Sequence, residues 1–173
     1  PERDGKTKLD HVNDMLSLAE KRGVQYKTAL MDSWYATTQM MTRLHQAGKL
    51  FYCPLKHNRL VDESKGQQPY QAVETLGWSE AEERQGKVVK VKGLAKTFYL
   101  KLFRVIVSTD KTDFIVTNDL TQDNIEAAQQ ESSQRWNIEQ FHREAKQLTG
   151  LEHSQCRRNS SQRNQIGASM LAR

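Results

Sequence analysis

The chain has 173 residues, of which 36% are hydrophobic and 27% are charged, and its net charge is +5. This length suffices for one domain with a hydrophobic core, and no low-complexity run indicates disorder. No apolar stretch is long enough to cross a bilayer, and the opening PERDGKTK lacks the apolar core of a secretory signal, so we expect a cytoplasmic protein with no membrane partner. Cys53 and Cys156 are isolated, which argues against a disulfide framework or a zinc site.

A helix followed by a strand is predicted in the first 31 residues. Asp10 is expected to cap the helix, and Gly23 to end it. The predicted buried face consists of Val12, Met15, Leu16 and Ala19. Residues 24–31 are expected to form a short buried strand because they end in an apolar triplet, and Asp32 follows at its carboxyl end.

A second helix and strand follow the same order. Ser33 is the expected cap and Gly48 the expected end of this helix, and residues 50–56 read as the next strand. The predicted buried positions are Met40, Met41, Leu44 and Ala47. The alternation indicates an α/β fold with parallel strands, in which functional groups collect at the carboxyl ends of the strands. Asp32 is placed there, although an aspartate that caps the following helix is the alternative.

The middle of the chain has a different pattern. Residues 58–71 are polar and turn-rich, and two alternating runs then meet near Gly93, which predicts a β-hairpin or small meander. We therefore expect three parts: an α/β core part at 1–57, an inserted β-rich subdomain at 58–112, and a core return strand with two helices at 113–173. The cations expected to point outward from the insertion are Lys90, Lys92, Lys101 and Arg104.

Basic residues are segregated into two tracts. Residues 84–109 contain seven Lys or Arg and no acid, and residues 153–173 contain four Arg and no acid. Such segregation indicates a polyanionic partner, with a basic solvated surface as the alternative.

The last third reads as a returning strand and a long helix. Residues 113–119 are apolar enough for a strand in the main sheet, and Thr121 is the expected cap of a helix that runs to Gly150. A final helix is expected from about Ser160 onward. In the long helix a polar stripe combines Arg135, Glu139 and Lys146 at spacings of four and seven with Ser132 and either His142 or Arg143.

A second stripe on this helix is apolar. Its members, which predict a core face, are Ile138, Phe141, Ala145 and Leu148. The alternative for the polar stripe is an ordinary solvent face, because charged residues at i and i+4 are common on surface helices.

The run RWNIEQFHREAK, with its R-x3-E-x6-K spacing, resembles the Y-x2-R-x3-E-x6-K signature of DDE-type cut-and-paste transposases of bacterial insertion sequences. The resemblance implies that Glu139 is the third metal-binding carboxylate and that Arg135 and Lys146 hold DNA phosphates. Ser132 stands where the signature has Tyr, and a serine hydroxyl can donate to a phosphate but cannot stack. The segment MDSWYATTQMM resembles the surroundings of the second catalytic aspartate, which assigns that role to Asp32.

The resemblance also implies a ribonuclease-H-like core with an insertion between the second and third carboxylates. Expected cofactors are two Mg²⁺ or Mn²⁺ ions, and expected partners are the transposon ends and target DNA, bound by a dimer. Further DNA contacts are expected from His142, Arg143 and Arg157. The strand with the first carboxylate is expected before residue 1, so this chain alone is expected to be inactive. A decayed or domesticated DNA-binding module and another ribonuclease-H-like nuclease are the alternatives.

Overall fold

The computed structural model describes residues 5–109, 111–149 and 158–171. The chain divides into two compact units, Pro1–Ser132 and Ser133–Arg173. The helices of the first unit are α1 (Lys8–Lys21), α2 (Thr38–Gln46), α3 (Glu80–Gln85) and α4 (Ile125–Ser133), the last of which reaches one residue past the boundary. Those of the second unit are α5 (Trp136–Thr149) and α6 (Asn159–Leu171), which pack against each other.

One open sheet of seven strands forms the centre of the first unit. The strands are β1 (Thr28–Leu30), β2 (Leu50–Leu55), β3 (Leu60–Asp62), β4 (Gln71–Ala72), β5 (Lys87–Val91), β6 (Leu100–Ser108) and β7 (Lys111–Thr117). Their order across the sheet is β1-β2-β7-β6-β5-β3-β4. The pair β1–β2 is parallel and the other neighbours are antiparallel, so the mixed α/β prediction is confirmed.

Strand β1 is shorter than the predicted span of residues 24–31. The Val24 amide still donates to the Ala19 carbonyl at 3.0 Å, so this residue belongs to the C-terminal turn of α1. Gly23, at φ +72°, provides the predicted end of that helix. Ladder pairing with β2 is therefore restricted to the apolar end of the predicted strand, from Thr28 to Leu30.

The alternating runs form the predicted hairpin from β5 and β6. Gly93 lies in their connection with φ +93°, a conformation that favours glycine. These strands, together with β3 and β4, lie in the same sheet as β1, β2 and β7. Whether residues 58–112 form a separate inserted subdomain stays a prediction.

The sheet carries a hydrophobic core on each face. One core holds most of the buried side chains and packs beneath α2, with Met41, Phe51 and Leu100 among its fully buried members. The other is smaller and packs beneath α4, where Phe103 and Ala128 are fully buried. Such burial on both faces supplies the main stabilisation of a layered α/β unit.

Lys101 and Arg104, two of the cations predicted to point outward, are half-buried and lie on opposite faces of the sheet, because residues three apart in a strand point to opposite faces. Lys101 is registered with Thr117. Arg104 is instead registered with Phe114, a member of the larger core, and forms an ion pair with Glu83. The two cations therefore belong to different surfaces.

Two predicted helix caps were also wrong. Thr7, and not Asp10, caps α1, and Asp10 completes a capping box as the third helical residue. Thr37, and not Ser33, caps α2 by accepting from the Met40 amide at 3.2 Å. For α1 the later of two suitable side chains was predicted, and for α2 the earlier one, because residues 33–35 form a turn before α2.

None of the described helices combines the length and apolarity that a membrane crossing requires. Cys53 is fully buried in β2, and burial raises the pKa of its thiol to about 12, so it is an unreactive core residue. Cys156 lies outside the described residues.

Asp62, at the end of β3, makes a pH-dependent contribution to stability. Its buried carboxylate accepts from the Ser64 hydroxyl at 2.6 Å and from the Ser64 and Gly66 amides at 2.7 Å. The Ser64 hydroxyl, followed by these amides, holds the pKa of Asp62 below 3.8, although burial alone would raise it. The stabilisation is therefore present above pH 3.8 and is lost as the pH falls through the lowered pKa.

Asp62→Asn is expected to lower the free energy of unfolding by about 1–3 kcal/mol at pH 7. Urea unfolding at pH 7, 5 and 3 would measure this difference, which should shrink below pH 4. Asp14→Asn, which removes an exposed ion pair with Lys6, is the control and should cost less than about 1 kcal/mol. A difference for Asp62 that persisted at pH 3 would contradict an effect of the ionised carboxylate.

Candidate active site

Asp32 lies at the carboxyl end of β1, as predicted. The Met31 amide donates to the Tyr52 carbonyl at 3.1 Å, so the contact with β2 continues to Met31, the residue before Asp32. The Asp32 side chain is exposed and its Oδ1 accepts from the Ser33 hydroxyl at 3.1 Å. The Asp32 carbonyl accepts from the Tyr35 amide at 2.9 Å, which closes the turn that follows. A carboxylate is thus presented where the sheet ends.

The alternative role of Asp32 as the cap of α2 is wrong. That helix begins at Thr38 and Thr37 is its cap, five residues after Asp32. The Asp32 carboxylate is therefore not the cap of this helix, although capping is a common structural role of aspartate.

A cleft of about 380 Å³ opens beside the turn after Asp32. Its wall includes Ser33 and Trp34 from that turn and Thr37 at the start of α2. The remaining wall comes from the loop between β2 and β3 and from Lys92 after β5. The sequence did not predict this cleft, because three separate segments of the chain build it.

The predicted long helix is divided into α4 and α5 by a turn at residues 134–135. The amides of Asn137 and Ile138 donate to the carbonyls of Gln134 and Arg135, each at 3.1 Å, which is the short spacing of a turn. Two serines precede the turn, and serine side chains compete with the backbone for hydrogen bonds in a helix.

The start of α4 also differs from the prediction. Asn124 Oδ1 accepts from the Ala127 amide at 2.8 Å, so Asn124 is the capping residue. The predicted cap, Thr121, instead donates its amide and hydroxyl to Asp119 Oδ1, at 3.1 and 2.6 Å. Gly150, the predicted end of the long helix, lies outside the described residues.

Arg135 and Glu139 are in direct contact. Arg135 Nη1 donates to Glu139 Oε1 at 2.9 Å across a spacing of four residues. The Arg135 side chain is 23% exposed and that of Glu139 is 44% exposed, and the guanidinium lies 5.5 Å from the ring centre of Trp136. Glu139 also lies in the first turn of α5, where a negative charge is favoured by the helix dipole. Arg135 therefore holds the Glu139 carboxylate by a hydrogen bond and balances its negative charge.

The polar stripe is not carried by one helix. Ser132 belongs to α4, Arg135 to the turn, and Glu139 and Lys146 to α5. Lys146 is exposed and lies seven residues after Glu139, so both occupy the same side of α5. His142 and Arg143 are exposed as well, and the His142 ring meets Phe141 edge to face at 5.9 Å. Arg157 lies outside the described residues.

The predicted apolar face of α5 is only partly correct. Ala145 is buried and Phe141 is half-buried, but Ile138 is 57% exposed. Because α5 begins at Trp136, Ile138 lies in the first turn, and no described residue covers it fully. The side chain of Leu148 lies outside the described residues.

The two predicted metal ligands belong to different units, Asp32 to the first and Glu139 to the second. In residues 5–109, 111–149 and 158–171, no three His, Cys, Asp or Glu side chains cluster closely enough to hold a metal ion. The site assignment thus rests on the separate surroundings of the two carboxylates.

Comparison with known proteins gives a family for the chain. Curated protein sequences provide no match. The family profile described as transposase DDE domain matches residues 6–173, which is nearly the whole sequence. The mixed α/β fold with a single open sheet agrees with that match, and the family implies DNA as the substrate. The chain therefore belongs to the family of transposase DDE domains.

Proposed function

We propose that the chain supplies two carboxylates, Asp32 and Glu139, to a site that cleaves DNA at transposon ends and joins the ends to target DNA. The observation that carries this proposal is the exposed Asp32 carboxylate directly after β1, which the following helix does not use as a cap. The ion pair between Arg135 and Glu139 supports the second half of the assignment.

The carboxylates of Asp32 and Glu139 are suitable ligands for a hard divalent cation. Carboxylate oxygens are the ligands that Mg²⁺ and Mn²⁺ prefer, and both proposed ligands are exposed. Two bound ions would supply an activated oxygen nucleophile and balance the charge that develops at the phosphorus. Asp32 and Glu139 would hold these ions in place, and the ions need further ligands beyond these two residues.

The residues around Glu139 have positioning roles in this proposal. Arg135 orients the Glu139 carboxylate by its hydrogen bond, and a guanidinium group has the fork of donors that a phosphate accepts. Lys146 supplies a point charge on the same side of α5. Ser132, His142 and Arg143 are proposed to contact the DNA backbone, as is Arg157. A dimer bound to paired ends is part of the same proposal.

A DNA-binding module without chemistry is the second candidate. The observation in its favour is that no cluster of three possible metal ligands occurs in the described ranges. Measured cleavage separates the two candidates, because both of them bind DNA.

Arg135→Ala and Lys146→Ala are each expected to weaken binding to duplex DNA about eightfold at 0.1 M salt, because one phosphate contact releases about 0.9 counterion. The slope of log affinity against log salt should fall by about 0.9 in each variant. Fluorescence anisotropy of labelled transposon-end DNA across a salt series would measure both quantities.

Lys21→Ala is the control, since Lys21 is an exposed cation in the last turn of α1 and lies outside both basic tracts. The slope of log affinity against log salt for this control variant should equal that of the wild type. Loss of the exposed Arg135–Glu139 pair should change the free energy of unfolding by less than about 1 kcal/mol. Equal slopes for all three variants and the wild type would contradict the phosphate roles.

A further inference from the structure

The cleft beside Asp32 carries three cations from two loops. Lys56 and Arg59 come from the loop between β2 and β3, and Lys92 comes from the loop after β5. Lys56 and Lys92 are exposed and Arg59 is half-buried. No acidic side chain lines the cleft in the described part of the chain, although Asp32 directly precedes the lining residue Ser33. The lining is therefore suited to an anion.

Backbone hydrogen bonds hold these cations in position. The Arg59 amide donates to the Lys56 carbonyl at 2.9 Å, which closes a tight turn. The Arg59 carbonyl accepts from the Val73 amide at 2.9 Å, and the Lys92 amide donates to the Leu60 carbonyl at 2.9 Å. The charges are thus attached to a rigid frame, which lowers the entropy that is lost when they bind a ligand together.

The start of α2 forms another wall of the same cleft. Thr37 caps this helix and lines the cleft, and the amides of a first helical turn attract anions. The β5–β6 connection approaches this point closely, since a Cβ on Gly93 would lie 3.3 Å from Thr38 Cγ2. That close approach keeps the loop of Lys92 beside the helix terminus.

One lining residue, Arg59, has a donor with no acceptor among the described residues. Arg59 Nε is buried and makes no hydrogen bond with them, although buried polar groups are normally paired. A ligand in the cleft cannot reach this buried nitrogen, but a guanidinium group also has terminal N–H donors whose fork matches a phosphate. Trp34, 56% exposed, adds an aromatic side chain to the lining of the cleft.

We infer that this cleft is a phosphate-binding subsite, which takes a phosphodiester of the DNA strand that passes Asp32. Lys56, Arg59 and Lys92 contact the phosphate oxygens, and the start of α2 adds its amides. The inference rests on the proposed function, because it says where the first unit binds the DNA that this function cleaves. The same chemistry would also accept free phosphate, and the experiment distinguishes the two sources.

The experiment acetylates surface lysines of the complete protein and reads their modification by mass spectrometry. Three arms are compared: protein alone, protein with duplex DNA of mixed sequence, and protein with inorganic phosphate at the same total phosphate concentration. Lys21 is the control, because it lies at the far end of α1, about 20 Å along that helix from Lys8, whose ammonium contacts Trp34. Duplex DNA should protect Lys56 and Lys92 more than Lys21, and inorganic phosphate should not.

A variant with Lys56→Gln, Arg59→Gln and Lys92→Gln adds an independent readout. Its slope of log affinity for duplex DNA against log salt should fall by about three, at about 0.9 for each lost contact, whereas Lys21→Gln should leave the slope unchanged. If the wild type binds DNA but neither protection nor slope distinguishes the cleft from Lys21, the subsite is wrong and the proposed function stands. Equal protection by inorganic phosphate would overturn the assignment to DNA. Absence of any DNA binding would overturn the proposed function as well.

Discussion

Glu139→Gln in the active transposase is expected to lower the rate of DNA cleavage by roughly a thousandfold or more, which corresponds to about 4 kcal/mol of transition-state stabilisation. The change keeps the size of the side chain but removes the charge that a divalent cation requires of its ligand. Binding of transposon-end DNA should stay within a few-fold of the wild type, because a carboxylate does not attract phosphate. Single-turnover cleavage with Mg²⁺, in parallel with a binding assay, measures both; EDTA should stop the cleavage.

Glu144→Gln on the same helix is the matched control. Glu144 lies five residues further along α5, away from the side that carries Glu139, and accepts from Gln140 Nε2 at 3.1 Å. Its variant should cleave at close to the wild-type rate. If Glu139→Gln cleaved equally well, Glu139 would not be a ligand. If DNA binding collapsed together with cleavage, a structural role of Glu139 would be the better explanation.

Gly86→Ala is expected to destabilise the first unit by about 3 kcal/mol or more, since both strain and steric overlap oppose it. Gly86 ends α3 with φ +69° and ψ 174°, a conformation almost confined to glycine. A Cβ there would lie 2.7 Å from the Leu102 carbonyl oxygen and 2.7 Å from Phe103 Cε1. Neither neighbour can withdraw, because the first is backbone and the second is fully buried. Urea unfolding followed by circular dichroism would measure the loss.

Gly77→Ala is the control for this change. A Cβ on Gly77 would meet no atom of the described residues within 4 Å, and Gly77 has no positive φ, so its variant should stay within about 0.5 kcal/mol of the wild type. Gly86 also fixes the start of β5, which delivers Lys92 to the cleft at its other end. Equal stability of the two variants would show that the backbone at Gly86 relaxes without cost.

The sequence predicted those features that depend on a few neighbouring residues. The apolar triplet before Asp32 correctly placed this residue at the end of a strand, and the pairing of β1 with β2 is parallel as expected. The alternating runs around Gly93 correctly predicted antiparallel strands. In both cases the spacing of the apolar residues and the nearby turn residue favour the same structure. Tertiary packing therefore did not override the local preference.

Features that depend on competition between nearby groups were missed. Ser33 and Thr37 are both good caps, and only the turn closed by the Tyr35 amide decides in favour of the later one. The division between α4 and α5 has no proline or glycine to mark it, because the sequence there reads SSQR. The cleft was also beyond prediction, since Lys56 and Lys92 come together only through the register of the sheet.

The central claim is that Asp32 and Glu139 bind the same divalent ions. The most direct measurement is a crystal structure of the active transposase with transposon-end DNA and Mn²⁺, in which anomalous scattering locates the metal. We predict Mn²⁺ within coordinating distance, about 2.0–2.3 Å, of carboxylate oxygens from both residues. Mn²⁺ bound by other side chains, with the Asp32 and Glu139 carboxylates remote from it, would contradict the claim.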